Sequence, residues 1–336
     1  MQNKIKHSLK NIIYYISVGL AIIILTTTLL SLISDTSWRY LKMLDFLRIQ
    51  YFIFGGVMLI IFIWITERWK WYDTVFASMI AMSMLFQSSY LINYTPLVSK
   101  TIPDDASPNE EGLKLMVYNL YIENEEYNEA LNMLNEANAD VLVILETTPV
   151  WEEKLASLKR KYPFTTGTVN TVGYGMTVYS NILMKNLERH YLHNKNVPSY
   201  SFEIQPDNMP QIQIYSVHPP PPKHFENMPD NSGKEEKALS IIGNRIKNDS
   251  KPTIVMGDLN DVAWGDTEKL MQAGNKLHDI RVGRGFYNTF SAHNFLMKWP
   301  LDHFFITEHF TVKNLQLFDN AGSDHYPIFV ELNYKN

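Results

Sequence analysis

The stretch Thr253-Ile254-Val255-Met256-Gly257-Asp258-Leu259-Asn260 runs apolar up to a glycine, then delivers a carboxylate and a carboxamide two positions apart. A run of this length flanked by Pro252 and Gly257 predicts a buried strand, with the residues past its end at the rim of a sheet. Side chains at spacing two point the same way while the chain stays extended. The acid can bind a cation or take a proton while the amide donates to an anionic oxygen, which is what hydrolysis of a phosphate ester needs. Taken alone the tripeptide is equally a turn, because Asp, Asn and Gly crowd into turns for local reasons.

Several other apolar runs end the same way. Leu113 to Tyr118 stops at Asn119, Asp140 to Leu145 at Glu146, and Ile212 to Val217 at His218. Asp302 stands at the front of the run Trp299 to Ile306, and Gly322-Ser323-Asp324-His325 precedes the run Tyr326 to Val330. Helical spacing separates some of these strands: Tyr127, Ala130, Leu131, Leu134 and Ala137 lie between the first two, and Ala238, Leu239, Ile242 and Ile246 lie ahead of Asp258. Such alternation predicts an α/β domain with helices covering sheets.

The ordered set Asn119, Glu146, His218, Asp258-Leu259-Asn260, Asp302 and Ser323-Asp324-His325 resembles the endonuclease/exonuclease/phosphatase superfamily over roughly 112–332. The resemblance implies a four-layer α/β sandwich, two mixed β-sheets flanked by helices, with the site at one end of the paired sheets. It implies a divalent-metal-dependent phosphoester hydrolase using Mg²⁺, with Mn²⁺ as an alternative. Glu146 matches the family's principal metal ligand, and Asn119 and Asp324 are expected to assist it. Asp302 is expected to orient His325, fixing its tautomer and raising its basicity. Asp258 is expected to activate water, with Asn260 and His218 stabilising charge on the phosphate. His278, His303 and His309 have no such match and are expected to be surface or core histidines. The sequence departs from the common pattern at Tyr121, Leu145 and Asn181, none of which the chemistry requires.

Residues 1–95 form a different kind of sequence. No charge occurs between Lys10 and Asp35, between Ile49 and Thr66, or between Thr74 and Ser99. At about 1.5 Å per helical residue, spans over 11–33, 49–66 and 74–94 can cross a bilayer. Trp38, Tyr40, Trp69, Trp71, Tyr72, Tyr90 and Tyr94 cluster near their ends, as headgroup-level rings do. Lys4, Lys6, Lys10, Arg68 and Lys70 would share one side, against Arg39, Lys42 and Arg48 on the other. That bias predicts a catalytic domain on the extracytoplasmic side of the cell membrane. Pro96, Pro103 and Pro108 among acidic and polar residues predict a linker over 96–111, with the catalytic domain at 112–336. Pro219 to Pro222, followed by polar residues to Lys234, predict a stiff connector beside His218.

The chain of 336 residues contains no cysteine, which excludes disulfides and thiolate metal sites. Residues 1–95 hold eight basic and four acidic residues, leaving twenty-two basic and thirty-one acidic in the rest. A soluble part this acidic lacks the footprint of a tight non-specific nucleic-acid binder. Both nucleic acid and phospholipid headgroups remain candidate phosphate-ester substrates, and no protein partner is expected. The alternative class is a non-catalytic, membrane-tethered binding module on the same fold.

Overall fold

A computed structural model describes residues 2–33, 39–106, 111–193, 195–221, 234–265, 267, 271, 273 and 275–335. Trp38, the linker residues Ser107 to Glu110, and the connector from Pro222 to Gly233 lie outside the described residues. The chain divides into two compact units, Met1–Asn93 and Tyr94–Asn336.

The first unit contains helices α1 (Gln2–Leu30), α2 (Arg39–Phe46), α3 (Arg48–Ile65) and α4 (Trp71–Leu91). Three stretches, Leu9–Leu30, Arg48–Ile65 and Trp71–Tyr94, are long and apolar enough to cross a membrane. Their outward faces carry large apolar side chains such as Ile23, Ile60 and Leu85, while polar groups turn inward. Arg48 is buried, donating to Gln87 Oε1 (3.1 Å) and Asp45 Oδ1 (2.5 Å), with its guanidinium 3.7 Å from the Tyr90 ring centre. Gln87 donates to Thr28 Oγ1 (3.1 Å), which lies 2.9 Å from Ser83 Oγ. Interhelical polar contacts of this kind join helices where the surrounding solvent is as apolar as their side chains. Arg48 is thus part of the helix packing rather than a loop charge.

The second unit begins on a helix end. The Tyr94 hydroxyl donates to the Ala263 carbonyl, and its ring packs against Trp264 and Phe286. The segment expected as a linker is tied down in its first part. Ile102 is buried in the core, Asp105 N and Val312 N bond to Val312 O (2.9 Å) and Pro103 O (3.0 Å), and Arg284 grips Ile102 O (2.6 Å) and Asp104 (2.8 Å). Proline-rich, acidic composition resembles a spacer, but here the prolines hold an extended strip against the domain.

The unit consists of two six-stranded mixed sheets. The first runs in the order β11 (Phe310–Leu317), β12 (Ile328–Tyr334), β1 (Leu113–Asn119), β2 (Val141–Leu145), β4 (Met176–Ser180), β3 (Phe164–Thr168). The second runs β5 (Lys185–His190), β6 (Ser199–Ile204), β7 (Ile212–Ser216), β8 (Thr253–Asp258), β10 (Asp302–Thr307), β9 (Leu277–Asp279). Alternation along each strand explains four layers. Leu115 and Val117 of β1, Val141 and Val143 of β2, and Ile254, Met256, Phe304 and Ile306 of the second sheet fill the space between the sheets. Met116, Tyr118, Leu142 and Ile144 face the other way, against Ala130 and Leu134 of α5 (Tyr127–Ala137) and Trp151 of α6 (Pro149–Lys154). Tyr215, Val255 and Phe305 pack on Leu239, Ile242 and Ile246 of α7 (Lys234–Lys247). Strands buried on both faces must be continuously apolar, which is why these runs are the ones the sequence displays.

Topology then selects one end of the sandwich. β1 and β2 are parallel, as are β7 and β8, so Asn119, Glu146, His218 and Asp258 all emerge where those strands finish. β10 and β12 run antiparallel to their neighbours, so Asp302 and His325 arrive where those strands start. Gly257 makes the exit of β8 possible: at φ 149° a Cβ would lie 1.8 Å from the Val217 carbonyl oxygen. Gly257→Ala should therefore destabilise the second unit by about 2 kcal/mol or more. Thermal unfolding of the detergent-solubilised variant, followed by near-ultraviolet circular dichroism, checks this; an unchanged melting point would show that β8 does not need this close approach.

Candidate active site

The site is held together by one amide. Asn119 Nδ2 donates to Glu146 Oε1 (3.0 Å) and to Asp258 Oδ2 (3.1 Å), linking a carboxylate of the first sheet to one of the second. The rest of Asn119 is fixed as well: Oδ1 accepts from Tyr121 N (3.0 Å), and its carbonyl accepts from Ser323 Oγ (2.7 Å). Glu146 follows β2 in a left-handed backbone conformation (φ 58°), which turns its carboxylate back so that Oε2 accepts from Ile122 N (2.8 Å). Burial raises its pKa, partly offset by the Asn119 hydrogen bond.

Asp258 and Asp302 stand directly opposite in the β8–β10 ladder. Both are buried. Burial and then the charge of Asp302 push the Asp258 carboxyl up to about 7. Asp302 Oδ2 lies 2.8 Å from His325 Nδ1, and His325 Nε2 lies 3.7 Å from Asp258 Oδ2. Burial alone would lower the His325 pKa, but the facing charges of Asp302 and Asp258 outweigh it and carry the ring up to about 10. The ring therefore donates from Nδ1 to Asp302. His325 N accepts its own restraint from the same serine that holds Asn119, donating to Ser323 Oγ (2.9 Å).

His218 lies beyond Asp258, with Nε2 3.8 Å from Oδ2 and its ring 5.6 Å from that of Tyr174. Burial lowers its pKa to about 3, so it is neutral, and its buried Nδ1 has no hydrogen-bond partner among the described residues. Asp324 is half-buried beside His325; burial raises its pKa, and no hydrogen bond joins its carboxylate to Glu146 or Asp258 among the described residues.

Asn260 differs from expectation. Its φ of 51° ends the extended chain at Asp258, so the two side chains do not project in parallel. Its backbone N–H donates to Asp258 Oδ1 (2.8 Å) in a local turn, and its amide donates to the Pro219 carbonyl (2.9 Å). Asn260 thus anchors the start of the proline segment beside His218.

Asp258, Asp302 and His325 each offer one ligand atom, all within 4.8 Å of one another, a geometry that could hold a metal ion. Asp302 Oδ1 is buried without a hydrogen-bond partner among the described residues, which suits a cation better than an empty apolar wall. The carboxylate oxygens of this cluster suit a hard divalent ion. His325 places a positive charge beside the two aspartates, and Glu146 and Asn119 stand on the other flank of Asp258.

Sequence reasoning missed the support behind Asp302. Arg281 is fully buried, its Nε and Nη2 donating to Asp279 (2.9 to 3.2 Å) and its Nη2 meeting His303 Nδ1. His303 Nε2 reaches the Asp261 carbonyl (2.8 Å), so this core histidine ties β10 to the loop after Asn260. Thr289 Oγ1 accepts from Asp302 N (3.1 Å). The Asp279-x-Arg281 spacing was the available signal, but β9 is only three residues long and gives no periodicity.

Two mixed sheets with helices outside, and a buried carboxylate and imidazole cluster at their common edge, define a phosphoesterase-type sandwich. Residues 116–325 match the Endonuclease/Exonuclease/phosphatase family, and the chain belongs to that family of phosphoester hydrolases. Similar solved structures include humanized D. rerio TDP2 (15% identity, TM-score 0.55) and D. rerio TDP2 complexed with single strand DNA product (14%, 0.55); each similarity covers 67% of this chain and 100% of the other. An endonuclease/exonuclease/phosphatase from Bacteroides vulgatus is 14% identical, with a TM-score of 0.53 and the same coverage. At these identities the likeness is one of fold. No curated protein matches the sequence.

The charges around His325 fix a pH dependence. Its stabilising contribution is complete below its ordinary pKa near 6.5 and lost as pH rises toward 10, whereas the raised Asp258 pKa costs stability as pH rises from about 4 to about 7. In the metal-free protein both trends run downward with pH. Asp302→Asn should bring the His325 pKa down by roughly one to three units. Proton NMR of the imidazole C2–H resonances reads this, and an unmoved resonance would show that Asp302 does not set the charge on the ring.

Proposed function

We propose that this protein is a membrane-anchored, divalent-metal-dependent phosphoester hydrolase. The observation that carries it is the double hydrogen bond of Asn119, which places Glu146 and Asp258 side by side with the Asp302–His325 pair behind them. A divalent ion, Mg²⁺ or Mn²⁺, held by Glu146 beside Asp258, with Asn119 orienting both carboxylates through Nδ2, would polarise the phosphate and shield its charge. Asp324 is assigned to water positioning or to a further contact with that ion.

Asp258 is the proposed base. In the metal-free site, burial and the facing Asp302 raise its pKa to about 7, well above that of a carboxylate in water. His325 holds its proton at that pH, so its role is to donate toward the developing negative charge and to keep Asp258 oriented, with Asp302 fixing its tautomer. His218, neutral and buried, donates from a single nitrogen to a non-bridging oxygen without repelling the ion. Asn260 contributes by fixing the loop that carries Pro219 and His218.

Anchoring rests on the three apolar helices. With Arg48 buried between helices, the loop count on the second side falls to Arg39 and Lys42, against five basic residues on the first. This favours an extracytoplasmic hydrolase unit. Protease added to intact cells should degrade Tyr94–Asn336, and full protection would reverse the assignment.

The activity is tested with the full chain in detergent on a soluble chromogenic phosphodiester. Turnover should require Mg²⁺ or Mn²⁺, vanish with EDTA, and fall by at least about a hundredfold in Glu146→Gln and Asp258→Asn. Wild-type turnover in either variant would remove the site. Metal binding without turnover on any phosphoester would instead indicate the binding-module alternative.

A further inference from the structure

The loop between Phe290 and Trp299 is a preformed projection with an apolar tip. Phe295, Leu296 and Met297 are consecutive and exposed by 82%, 54% and 48%. Burial of none of them is required to hold the loop. Phe290 N donates to Trp299 O (2.9 Å), Ser291 N to Met297 O (3.1 Å), and Asn294 Oδ1 accepts from Leu296 N (2.9 Å) and Met297 N (3.1 Å). Phe290 and Trp299 stack at the base, 6.0 Å apart. Such a loop presents three large apolar side chains on a scaffold made of its own hydrogen bonds.

The base of the projection is part of the active-site rim. The Phe290 ring lies 5.0 Å from the His325 ring, and Ala292 N donates to the Asp324 carbonyl (2.7 Å). No acidic residue occurs from Ser291 to Leu301, and Lys298 follows the tip, its ammonium 5.1 Å from the Tyr326 ring centre. Apolar tip, adjacent lysine and tryptophan form the composition that settles at the boundary between headgroups and acyl chains. A nucleic-acid contact would call for several basic groups, and this loop has one lysine in an acidic unit. A lipid surface is, moreover, a permanent neighbour of a chain with three bilayer-length apolar helices.

We infer that the Phe295–Met297 tip is a membrane-docking element that inserts into a phospholipid surface and sets the active-site rim at headgroup depth. The substrate consequence rests on the hydrolase reading above: phosphoesters presented at a lipid surface would be preferred over soluble ones. Docking itself does not depend on turnover.

The absence of native cysteine permits a direct test. Full-length Phe295→Cys and, as a second site, Met297→Cys are labelled with an environment-sensitive fluorophore and reconstituted into phosphatidylglycerol/phosphatidylcholine vesicles. Leu183→Cys is the control, since Leu183 is exposed just past the end of β4 that lies away from Glu146. Shallow nitroxide-labelled lipid should quench the 295 and 297 probes and leave 183 unquenched. Equal exposure of all three to aqueous iodide overturns the proposal. So does a 295 signal that responds to added oligonucleotide or to protein and not to nitroxide lipid. Phe295→Ser should then lower hydrolysis of vesicle phospholipid phosphoesters by roughly tenfold or more, the partition of one buried aromatic ring, with the soluble phosphodiester unchanged. An equal loss on both substrates also overturns the docking role, whereas a wild-type enzyme inactive on both refutes the hydrolase reading and leaves the quenching result to decide docking.

Discussion

Two carboxylates, Asp258 and Asp302, face each other across the β8–β10 ladder in a place closed to water. Neither strand contains a group that could tolerate both charges. The fold answers with His325 from the other sheet, which sits against Asp302 and within reach of Asp258 and is held cationic by them. Glu146, on the other flank of Asp258, adds a third carboxylate to the cluster, and the dication proposed for this site would offset that charge. The shifted proton affinities of Asp258 and His325 follow from that crowding.

The crowding in turn depends on strand direction. Parallel pairs bring the ends of β1, β2, β7 and β8 to one edge, and the antiparallel β10 and β12 bring their beginnings to the same edge. Asn119 spans the gap between the sheets, so the site forms only when both sheets are packed. The buried Arg281, with Asp279 and His303, stiffens the strand from behind without entering the cleft.

Much of this was legible in the sequence for a physical reason. Strands covered on both faces must be apolar throughout, so β1, β2, β7, β8, β10 and β12 announced themselves, and polar residues ending them stood out. β5 did not, because Lys185–His190 is an exposed edge with one apolar residue in the middle, and β9 was too short to show a period. The two departures have local causes. Proline and acid composition over 96–106 looks like a spacer whether or not the strip is pinned by Arg284 and Val312, and the left-handed turn at Asn260 depends on a side-chain hydrogen bond that spacing does not encode. The buried Arg48–Gln87 contact inside the first unit joins residues thirty-nine apart in sequence and left no local trace.

The most direct measurement is calorimetric titration of Mn²⁺ into the detergent-solubilised full chain and into folded Glu146→Gln and Asp258→Asn variants. The account predicts saturable binding to the wild type that is lost or weakened by at least about tenfold in both variants, since each removes an anionic oxygen from the shared cation site. Binding of undiminished affinity in both variants would contradict it, because the carboxylates gathered at the sheet ends would then have no ion in common.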